Sequence, residues 1–431
     1  MQTLLWKNLS SRQRAAALAR PAPSAQPQRS AAVAKLIASV RRGGDAALRR
    51  LTEKFDGVRV RSLRVSAAEF AAARSALGRA DHAALRLACR NLARFHRAQA
   101  AAPLRVETMP GIACEKVVRP IDCVGLYVPG GSAPLFSTAL MLGVPSRLAG
   151  CARRVLCTPP DRQGRVNPWI LCAAQLCGIT EVFKVGGAQA IAAMAAGTAT
   201  VPKCAKLFGP GNAFVTEAKL QVSRAGTAID LPAGPSEVMV VADDRANPVF
   251  VAADLLSQAE HGPDSQVVLV AFSRMFAARV QTELARQLAD LPRRDIARRA
   301  LAGSRILLAN AVEDAVLIAN LYAPEHLILQ VAAPRTLLAQ VRTAGSVFLG
   351  PWTPESLGDY ASGTNHVLPT GGWARTCSGL GLADFQRTMT VQTASPRGLR
   401  KLGPVVARLA LAENLAAHQR AVRVRLDRLS R

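Results

Sequence analysis

Apolar residues follow two different patterns along the chain. Ala31–Phe55 has the spacing of a helix, whereas from about Cys123 onward short apolar runs alternate with helical stretches. The predicted strands of this part are Val124–Val128, Arg154–Cys157, Glu181–Val185 and Lys206–Phe208, and the predicted helices between them are Pro168–Leu176 and Gln189–Ala195. Strands that alternate with helices form parallel sheets, so the pattern predicts an α/β lobe.

A second alternating set follows. Its predicted elements are strand Val238–Val241, helix Pro248–His261, strand Gln266–Ala271, a long Arg-rich helical region and strand Ser346–Leu349. The first thirty residues predict a short helical arm and then a proline-containing loop, and Leu402–Leu429 is again helical. We therefore predict an α/β protein of two lobes with parallel sheets and helical N- and C-terminal segments.

Composition supports a large folded core. Of 431 residues, 50% are hydrophobic and 19% are charged, which excludes a disordered chain. No apolar run is long enough to span a membrane, and the N-terminus lacks the features of a secretion signal, so we expect a soluble, cytoplasmic protein. The nine cysteines form no Cys-x-x-Cys pair, and we expect most of them to be small buried hydrophobic residues.

The net charge of +26 first suggests a nucleic-acid partner. The excess is concentrated at the two ends of the chain, however, where basic residues are interleaved with Ala and Leu. Arg86, Arg90, Arg94 and Arg97 have the spacing of one solvated helix face, and no aromatic residues lie among them for base stacking. The pattern therefore argues against nucleic-acid binding.

Three glycine-rich turns follow predicted strands. They are Pro129–Gly131, Gly186–Gly187 and Gly209–Asn212. Glycine lets the backbone approach a ligand closely, and the start of a following helix favours an anion. None has the Gly-x-Gly-x-x-Gly pattern. Each alone is consistent with a simple strand-to-helix turn, but three in one lobe suggest a nucleotide or cofactor surface.

Four of the six histidines have suggestive neighbours. Gln258 and His261 are three residues apart near the end of a predicted helix, so they are candidate zinc ligands, although a capped surface histidine gives the same pattern. Glu325 and His326 follow Pro324 at a predicted helix start and are candidate groups for proton transfer. Two further pairs are Asp359 with His366 in a polar loop, and Glu413 with His418 on a predicted solvated helix. These residues alone are consistent with a zinc enzyme. The sequence by itself does not show how the side chains are arranged in space.

Longer motifs resemble one known family. The segments are Gly125-Leu-Tyr-Val-Pro-Gly-Gly131, Gly209-Pro-Gly-Asn212, Pro232-Ala-Gly-Pro-Ser-Glu237, Leu255-Leu-Ser-Gln-Ala-Glu-His-Gly-Pro-Asp264, Tyr322-Ala-Pro-Glu-His326 and Asp359-Tyr-Ala-Ser-Gly-Thr-Asn-His-Val-Leu-Pro369. In this order they resemble the histidinol dehydrogenases, and the likeness runs from about Leu36 to Arg423.

The resemblance implies an NAD-dependent, zinc-containing enzyme that oxidises L-histidinol through histidinal to L-histidine, the last step of histidine biosynthesis. The implied zinc ligands, one ion per subunit, are Gln258, His261, Asp359 and His418. His326 would take the alcohol proton, and Glu325 would activate the water that attacks the aldehyde.

The resemblance also implies how substrate and cofactor are held. The substrate contacts would be Ser236, His326, His366 and Glu413 together with the four zinc ligands, and the NAD contacts would be Tyr127, Gln189 and Asn212. The family forms a homodimer in which the C-terminal segment completes the partner's site. The implied division is 1–22 for an N-terminal arm, 23–126 with 237–380 for the lobe carrying most metal and catalytic residues, 127–236 for the NAD lobe, and 381–431 for the C-terminal segment.

Two other hypotheses remain at this point. One is a relative in the same superfamily that oxidises another alcohol, such as a sulfonated diol, but Glu325, Glu413 and His418 suit a cationic, imidazole-bearing substrate. A basic nucleic-acid-binding protein on an inactive enzyme scaffold is the third hypothesis.

Overall fold

The computed structural model describes residues 1–20, 26–130, 135–231 and 234–430. Its contacts divide the chain into two compact units, the first Met1–Ala98 with Ile121–Phe385 and the second Gln99–Pro120 with Gln386–Arg431. The proline-containing loop predicted near Pro21 and Pro23, and Gly131 of the first glycine turn, lie outside the described residues.

The chain alternates strands and helices over most of its length. The strands are β1 Gln2–Leu5, β2 Leu104–Met109, β3 Ile112–Pro120, β4 Cys123–Tyr127, β5 Arg153–Thr158, β6 Glu181–Lys184, β7 Lys206–Phe208, β8 Ala228–Ile229, β9 Glu237–Ala242, β10 Gln266–Ala271, β11 Arg305–Leu308, β12 His326–Gln330, β13 Ser346–Leu349 and β14 Gln386–Ala394. The helices are α1 Ser11–Ala17, α2 Gln26–Asp56, α3 Ala67–Ala76, α4 Arg79–Arg97, α5 Phe136–Leu148, α6 Pro168–Leu176, α7 Gly187–Ala196, α8 Ala213–Arg224, α9 Pro248–Ala259, α10 Arg274–Ala289, α11 Arg294–Ala302, α12 Val312–Tyr322, α13 Pro334–Leu338, α14 Glu355–Tyr360, α15 Pro396–Ala412 and α16 Ala416–Leu429.

The smaller parallel sheet of the first unit has the order β6-β5-β4-β7-β8. Its apolar strands are buried on both faces, as expected for a parallel sheet covered by helices. Leu126 of β4 packs into one core and Val155 of β5 into the other. The strand order reverses between β4 and β7, where α/β sheets characteristically bind ligands beyond the carboxyl ends of the strands.

The larger parallel sheet has the order β1-β11-β10-β9-β12-β13. From β9 outward it repeats the topology of the smaller sheet, and β1 is added at its edge. Alternate residues of β9 face opposite sides, with Val238 and Val240 in one core and Met239 and Val241 in the other. The predicted α/β class with two parallel lobes is therefore confirmed.

The start of the chain differs from the prediction. We expected a helical arm, but residues 2–5 form β1, which pairs in parallel with β11, and only then does α1 follow. Trp6, directly after β1, is fully buried. This burial fixes the N-terminal segment on the larger sheet.

The second unit has a different architecture. Its three-stranded antiparallel sheet has the order β14-β3-β2, and α15 and α16 pack together as a helical hairpin. The stretch Leu402–Leu429, predicted to be helical, is interrupted by Asn414, whose φ of 60° lies in the left-handed region. We did not predict the sheet, because nearly every residue of β14 is exposed and the strand lacks an apolar face.

Two expectations about which side chains are exposed or buried hold in the described residues. On α4, the residues Leu85, Cys89 and Leu92 are buried while the four arginines of the predicted solvated face are exposed. Six of the nine free cysteines are buried. In the described part of the chain, no helix is both long and apolar enough to cross a membrane.

Candidate functional site

The candidate catalytic pair lies at the beginning of β12. We predicted a helix start here, but α12 has already ended at Tyr322, and Ala323 (φ 54°) turns the chain into a strand. Val238 and Ser346 flank His326 on the neighbouring strands, so the extended backbone is fixed from both sides. Glu325 and His326 are both buried. The pair therefore lies at the amino end of the larger sheet, opposite to the usual ligand edge of such folds.

Both members of the pair are held by the backbone of Glu237. The N–H of Glu237 donates to Oε2 of Glu325 at 2.9 Å, and its carbonyl oxygen lies 3.2 Å from Nδ1 of His326. Since a carbonyl oxygen only accepts, the imidazole donates from Nδ1. In the neutral ring the lone pair is then on Nε2, which has no hydrogen-bond partner among the described residues.

The surroundings of the pair favour binding of protons. Burial raises the pKa of Glu325 to about 8. Burial lowers the pKa of His326, but the carboxylates of Glu355, Glu325 and Asp359 outweigh this effect and bring it well above its usual value. Both groups therefore favour their protonated forms near neutral pH, and each acts as a general base only after it has released that proton.

Three side chains next to the pair form a candidate metal site. Ligand atoms of His261, Glu355 and Asp359 all lie within 4.8 Å of one another. Nε2 of His326 is 3.7 Å from Oδ1 of Asp359, so the metal-ligand candidates and the catalytic candidates are neighbours. One imidazole and two carboxylates are ligands that zinc accepts.

Gln258 also lies at this cluster and is fully buried. With the amide nitrogen turned toward Glu355, that nitrogen lies 2.5 and 3.1 Å from the two carboxylate oxygens and 3.3 Å from Nδ1 of His326. The helix predicted to reach His261 ends at Ala259, so His261 follows the helix. It is the exposed member of the metal cluster. Glu355 therefore contacts the amide of a predicted metal ligand.

Sequence reasoning missed Glu355. Its side chain is almost completely buried, and burial raises its pKa to about 8. Glu355 and Asp359 are four residues apart on α14, a spacing that places two side chains on one helix face. This spacing, together with the preceding Pro354, is the signal that would have identified it.

His366 contacts the same cluster from the polar loop after α14. Its Nδ1 lies 3.0 Å from the carbonyl oxygen of Asp359 and its Nε2 lies 3.2 Å from Oγ1 of Thr138 on α5. Burial lowers the pKa of His366, which keeps the ring neutral. The ring therefore donates to the carbonyl and accepts from the hydroxyl, which links the loop to a helix of the smaller lobe.

The remaining predicted substrate contacts are divided between the two units. Ser236 is half-buried directly before β9, and its carbonyl oxygen accepts from the N–H of Gln266 at 3.2 Å. Glu413 ends α15 and His418 lies on α16, and both are exposed in the second unit. The structure thus brings together Gln258, His261, Glu325, His326 and Asp359, while the roles of Ser236, Glu413 and His418 stay predictions.

The predicted NAD contacts lie at the carboxyl edge of the smaller sheet. Tyr127 is the last residue of β4, and its hydroxyl accepts a 3.0 Å hydrogen bond from the N–H of Gly187. Gln189 is buried in the first turn of α7, and Asn212 caps α8 by accepting from the N–H groups of Phe214 and Val215. Their roles toward NAD stay predictions.

A buried ion pair supports the turn at Gly209. Lys219 and Asp230 form a salt bridge with almost no exposure. Asp230 also accepts from the N–H of Gly209 at 2.7 Å, and Lys219 donates to its carbonyl oxygen at 2.9 Å. Gly209 has a φ of 122° and packs so closely against Tyr127 that a Cβ would lie 2.1 Å from the tyrosine carbonyl oxygen. Only glycine fits this position.

Comparisons with known proteins agree over the whole chain. A family profile described as histidinol dehydrogenase matches residues 19–426. The histidinol dehydrogenase of Vibrio parahaemolyticus is 56% identical over 432 residues, covering 100% of this chain and 99% of the relative. That of Xanthomonas campestris pv. campestris is 58% identical over 427 residues, covering 99% of both.

A solved structure gives the same result for the fold. The crystal structure of histidinol dehydrogenase from Elizabethkingia anophelis matches with a TM-score of 0.97 at 45% sequence identity, covering 100% of this chain and 99% of that chain. Full-length profile, sequence and structural matches lead to one assignment. The chain belongs to the histidinol dehydrogenase family of oxidoreductases.

Proposed function

We propose that the protein oxidises L-histidinol through histidinal to L-histidine, with NAD as electron acceptor and one zinc ion per subunit, as the last step of histidine biosynthesis. The observation that carries this proposal is the shared support of Glu325 and His326 by one residue, directly beside the His261, Glu355 and Asp359 cluster. An alcohol oxidation followed by hydration of an aldehyde removes two protons, and two adjacent bases are suited to take them.

The residues present suit zinc and NAD. The metal cluster combines imidazole, carboxylate and amide donors, and the Nε2 atom of His326 is buried without a partner among the described residues, which leaves room for a ligand. Zinc would be held by Gln258, His261 and Asp359, with His418 from a second copy of the chain. NAD would lie at Tyr127, Gln189 and Asn212, where α7 and α8 begin and the positive ends of the helix dipoles favour an anion such as a pyrophosphate.

The chain's own residues supply the proton transfers. Nε2 of His326 accepts the proton of the substrate hydroxyl, because Nδ1 is held by the Glu237 carbonyl. Glu325, whose Oε2 is fixed by the Glu237 N–H, removes a proton from the water that attacks the aldehyde. Bound NAD would supply the hydride acceptor for each stage, and bound zinc would supply an anchor for the substrate. Asp359 lies on α14 and not in the predicted loop, and His366, which contacts Thr138, binds its carbonyl oxygen and so holds the end of that helix.

The second unit would contribute to substrate binding. Glu413 would bind the cationic end of histidinol from a second subunit, in a homodimer with shared sites. The second unit exposes large apolar side chains, including Leu409 at 61% and Leu411 at 55%, which supports a covered surface in the assembly.

The test is NADH formation from L-histidinol by zinc-loaded protein, counted per histidinol consumed. Two NADH per substrate are expected, because the reaction removes four electrons. One NADH would contradict the aldehyde stage. No NADH from folded, metal-bound protein would contradict the substrate assignment and favour another alcohol.

A further inference from the structure

The carboxylate of Glu237 is buried behind the catalytic pair and is held from two directions. Nε of Arg20 lies 2.5 Å from Oε2 and Nη2 lies 2.8 Å from Oε1, so the guanidinium binds the carboxylate with two parallel contacts. The hydroxyl of Tyr322 lies 3.2 Å from Oε2, and this tyrosine is fully buried. The side chain of Glu237 therefore has little freedom to move.

Arg20 also binds the turn that leads to the catalytic pair. Its Nη2 donates to the carbonyl oxygen of Tyr322 at 2.8 Å, and the guanidinium stacks on the Tyr322 ring at 4.0 Å from the centroid. It further contacts the carbonyl oxygen of Ala323 at 3.4 Å. One side chain thus connects β9 with the left-handed turn before Glu325.

This arrangement has a geometric consequence for the pair. The backbone of Glu237 contacts both Glu325 and His326, and Arg20 holds the side chain of that same residue. A shift of Glu237 would move the partner atoms of both bases together. Displacements of about 1 Å at a reacting group are enough to lower rates strongly.

Stability alone is a weak explanation for such a pair. Burying an ion pair sacrifices the hydration of both charges, and apolar replacements are often equally stable. Planar two-point binding instead gives orientation, which an apolar contact does not provide.

We propose that Arg20 and Glu237 are positioning residues that align Glu325 and His326 for proton transfer. This inference rests on the proposed function, since it assigns those two residues as bases. Neither Arg20 nor Glu237 itself needs to touch the substrate.

The experiment compares Arg20→Met, Arg20→Lys and Glu237→Gln in zinc-loaded enzyme. Rates are measured with L-histidinol and, separately, with L-histidinal, which isolates the aldehyde stage. For Arg20→Met we expect kcat with L-histidinal to fall roughly tenfold or more, with KM for NAD and zinc content unchanged. Arg20→Lys keeps the positive charge but not the two-point contact of the guanidinium, so its kcat should lie between those of Arg20→Met and the wild type. Glu237→Gln should resemble Arg20→Met.

Arg375→Met is the matched control. Arg375 is an exposed arginine that donates to the carbonyl oxygen of Leu321, next to the same helix end. Its replacement should leave both rates unchanged. The double variant Arg20→Met with Glu237→Gln should lose less than the product of the two single losses, because the residues act as one unit.

The possible outcomes distinguish a failure of the positioning role from a failure of the proposed function. Lower thermal stability of Arg20→Met with wild-type kcat on both substrates would mean a merely structural role and would overturn the inference alone. If Arg20→Met does not fold, Arg20→Lys, which keeps the charge, must lower kcat with L-histidinal for the inference to stand. A wild-type enzyme that forms no NADH from L-histidinol would overturn the proposed function itself.

Discussion

The phenol of Tyr127 and the backbone N–H of Gly187 are joined by a 3.0 Å hydrogen bond. The tyrosine ends β4 and the glycine opens α7, so the contact ties two of the three glycine-rich turns together. Burial raises the pKa of Tyr127 to about 12, and the ring therefore stays neutral at physiological pH. The pair fixes the edge of the sheet where we propose NAD binds.

Tyr127→Phe should weaken NAD binding more than catalysis. Removal of the hydroxyl leaves the Gly187 N–H without its acceptor, which costs about 1 kcal/mol. We expect KM for NAD to rise about fivefold while kcat and KM for histidinol change little. Steady-state kinetics with each substrate varied in turn will check this, and a selective rise in KM for histidinol would contradict the assignment.

His261→Ala and Asp359→Ala should lose zinc and activity together. Each removes a donor from a cluster whose ligand atoms lie within 4.8 Å of one another. Zinc content per subunit and turnover should fall in parallel, whereas His82→Ala, on α4, should change neither. Retention of zinc by both ligand variants would show that the metal binds elsewhere.

A mixing experiment tests the shared site. His261→Ala and His418→Ala should each be inactive, but subunits exchanged between them should regain about a quarter of wild-type activity, because half of the dimers are hybrids with one intact site. His261→Ala mixed with Asp359→Ala should regain none, since both changes lie in the first unit. Equal activity in both mixtures would argue against a site completed by the second subunit.

Glu325→Gln should slow the aldehyde stage more than the alcohol stage. The substitution keeps the shape of the side chain but removes the base that activates water, while His326 and its contact with Glu237 remain. We expect kcat with L-histidinal to fall roughly a hundredfold or more. The rate of the first hydride transfer from L-histidinol, measured in a single turnover, should fall less. Equal losses in both stages would contradict this division of roles.

Asp56→Asn should stabilise the protein near neutral pH. Burial raises the pKa of Asp56 to about 6, and its Oδ2 is buried without a hydrogen-bond partner among the described residues. Because the unfolded chain loses this proton at lower pH than the folded protein, the free energy of unfolding should fall as pH rises from about 4 to about 6. Asp56 also ends α2, where a negative charge opposes the helix dipole.

The gain is expected to be roughly 1 kcal/mol, since Asp56 is partly exposed to solvent. Thermal unfolding near pH 7 should show it, and near pH 4 the variant and the wild type should unfold alike. An equal gain at both pH values would mean that the titration of Asp56 is not the cause.

Periodicity was most successful where the elements are bounded by strong local signals. The predicted ranges Pro168–Leu176, Gln266–Ala271 and Ser346–Leu349 agree with the structure. At Pro168 the signal is local, because proline occupies the first turn and Asn167 caps it with a hydrogen bond to the N–H of Trp169. Apolar runs such as that of β10 are long enough to define a buried strand.

The errors have tertiary causes. At His326 a proline suggested a helix start, but pairing with β9 and β13 on both sides imposed an extended backbone. Glu355 was missed because a buried carboxylate has no apolar pattern to mark it, and its significance depends on contacts with Gln258. Arg20 was lost among many arginines, since its partner Glu237 is remote in sequence.

The edge strand β1 has a consequence for how the protein is made. Gln2 pairs with Arg305, so roughly three hundred residues must be synthesised before the first strand finds its neighbour. Such long-range parallel pairing is a slow step in folding. Until it occurs, Trp6 lacks the sheet that buries it, and Arg20 on the same segment is not yet held beside Glu237. Newly made chains should therefore gain catalytic competence only at the end of folding, when the beginning of the chain joins the sheet.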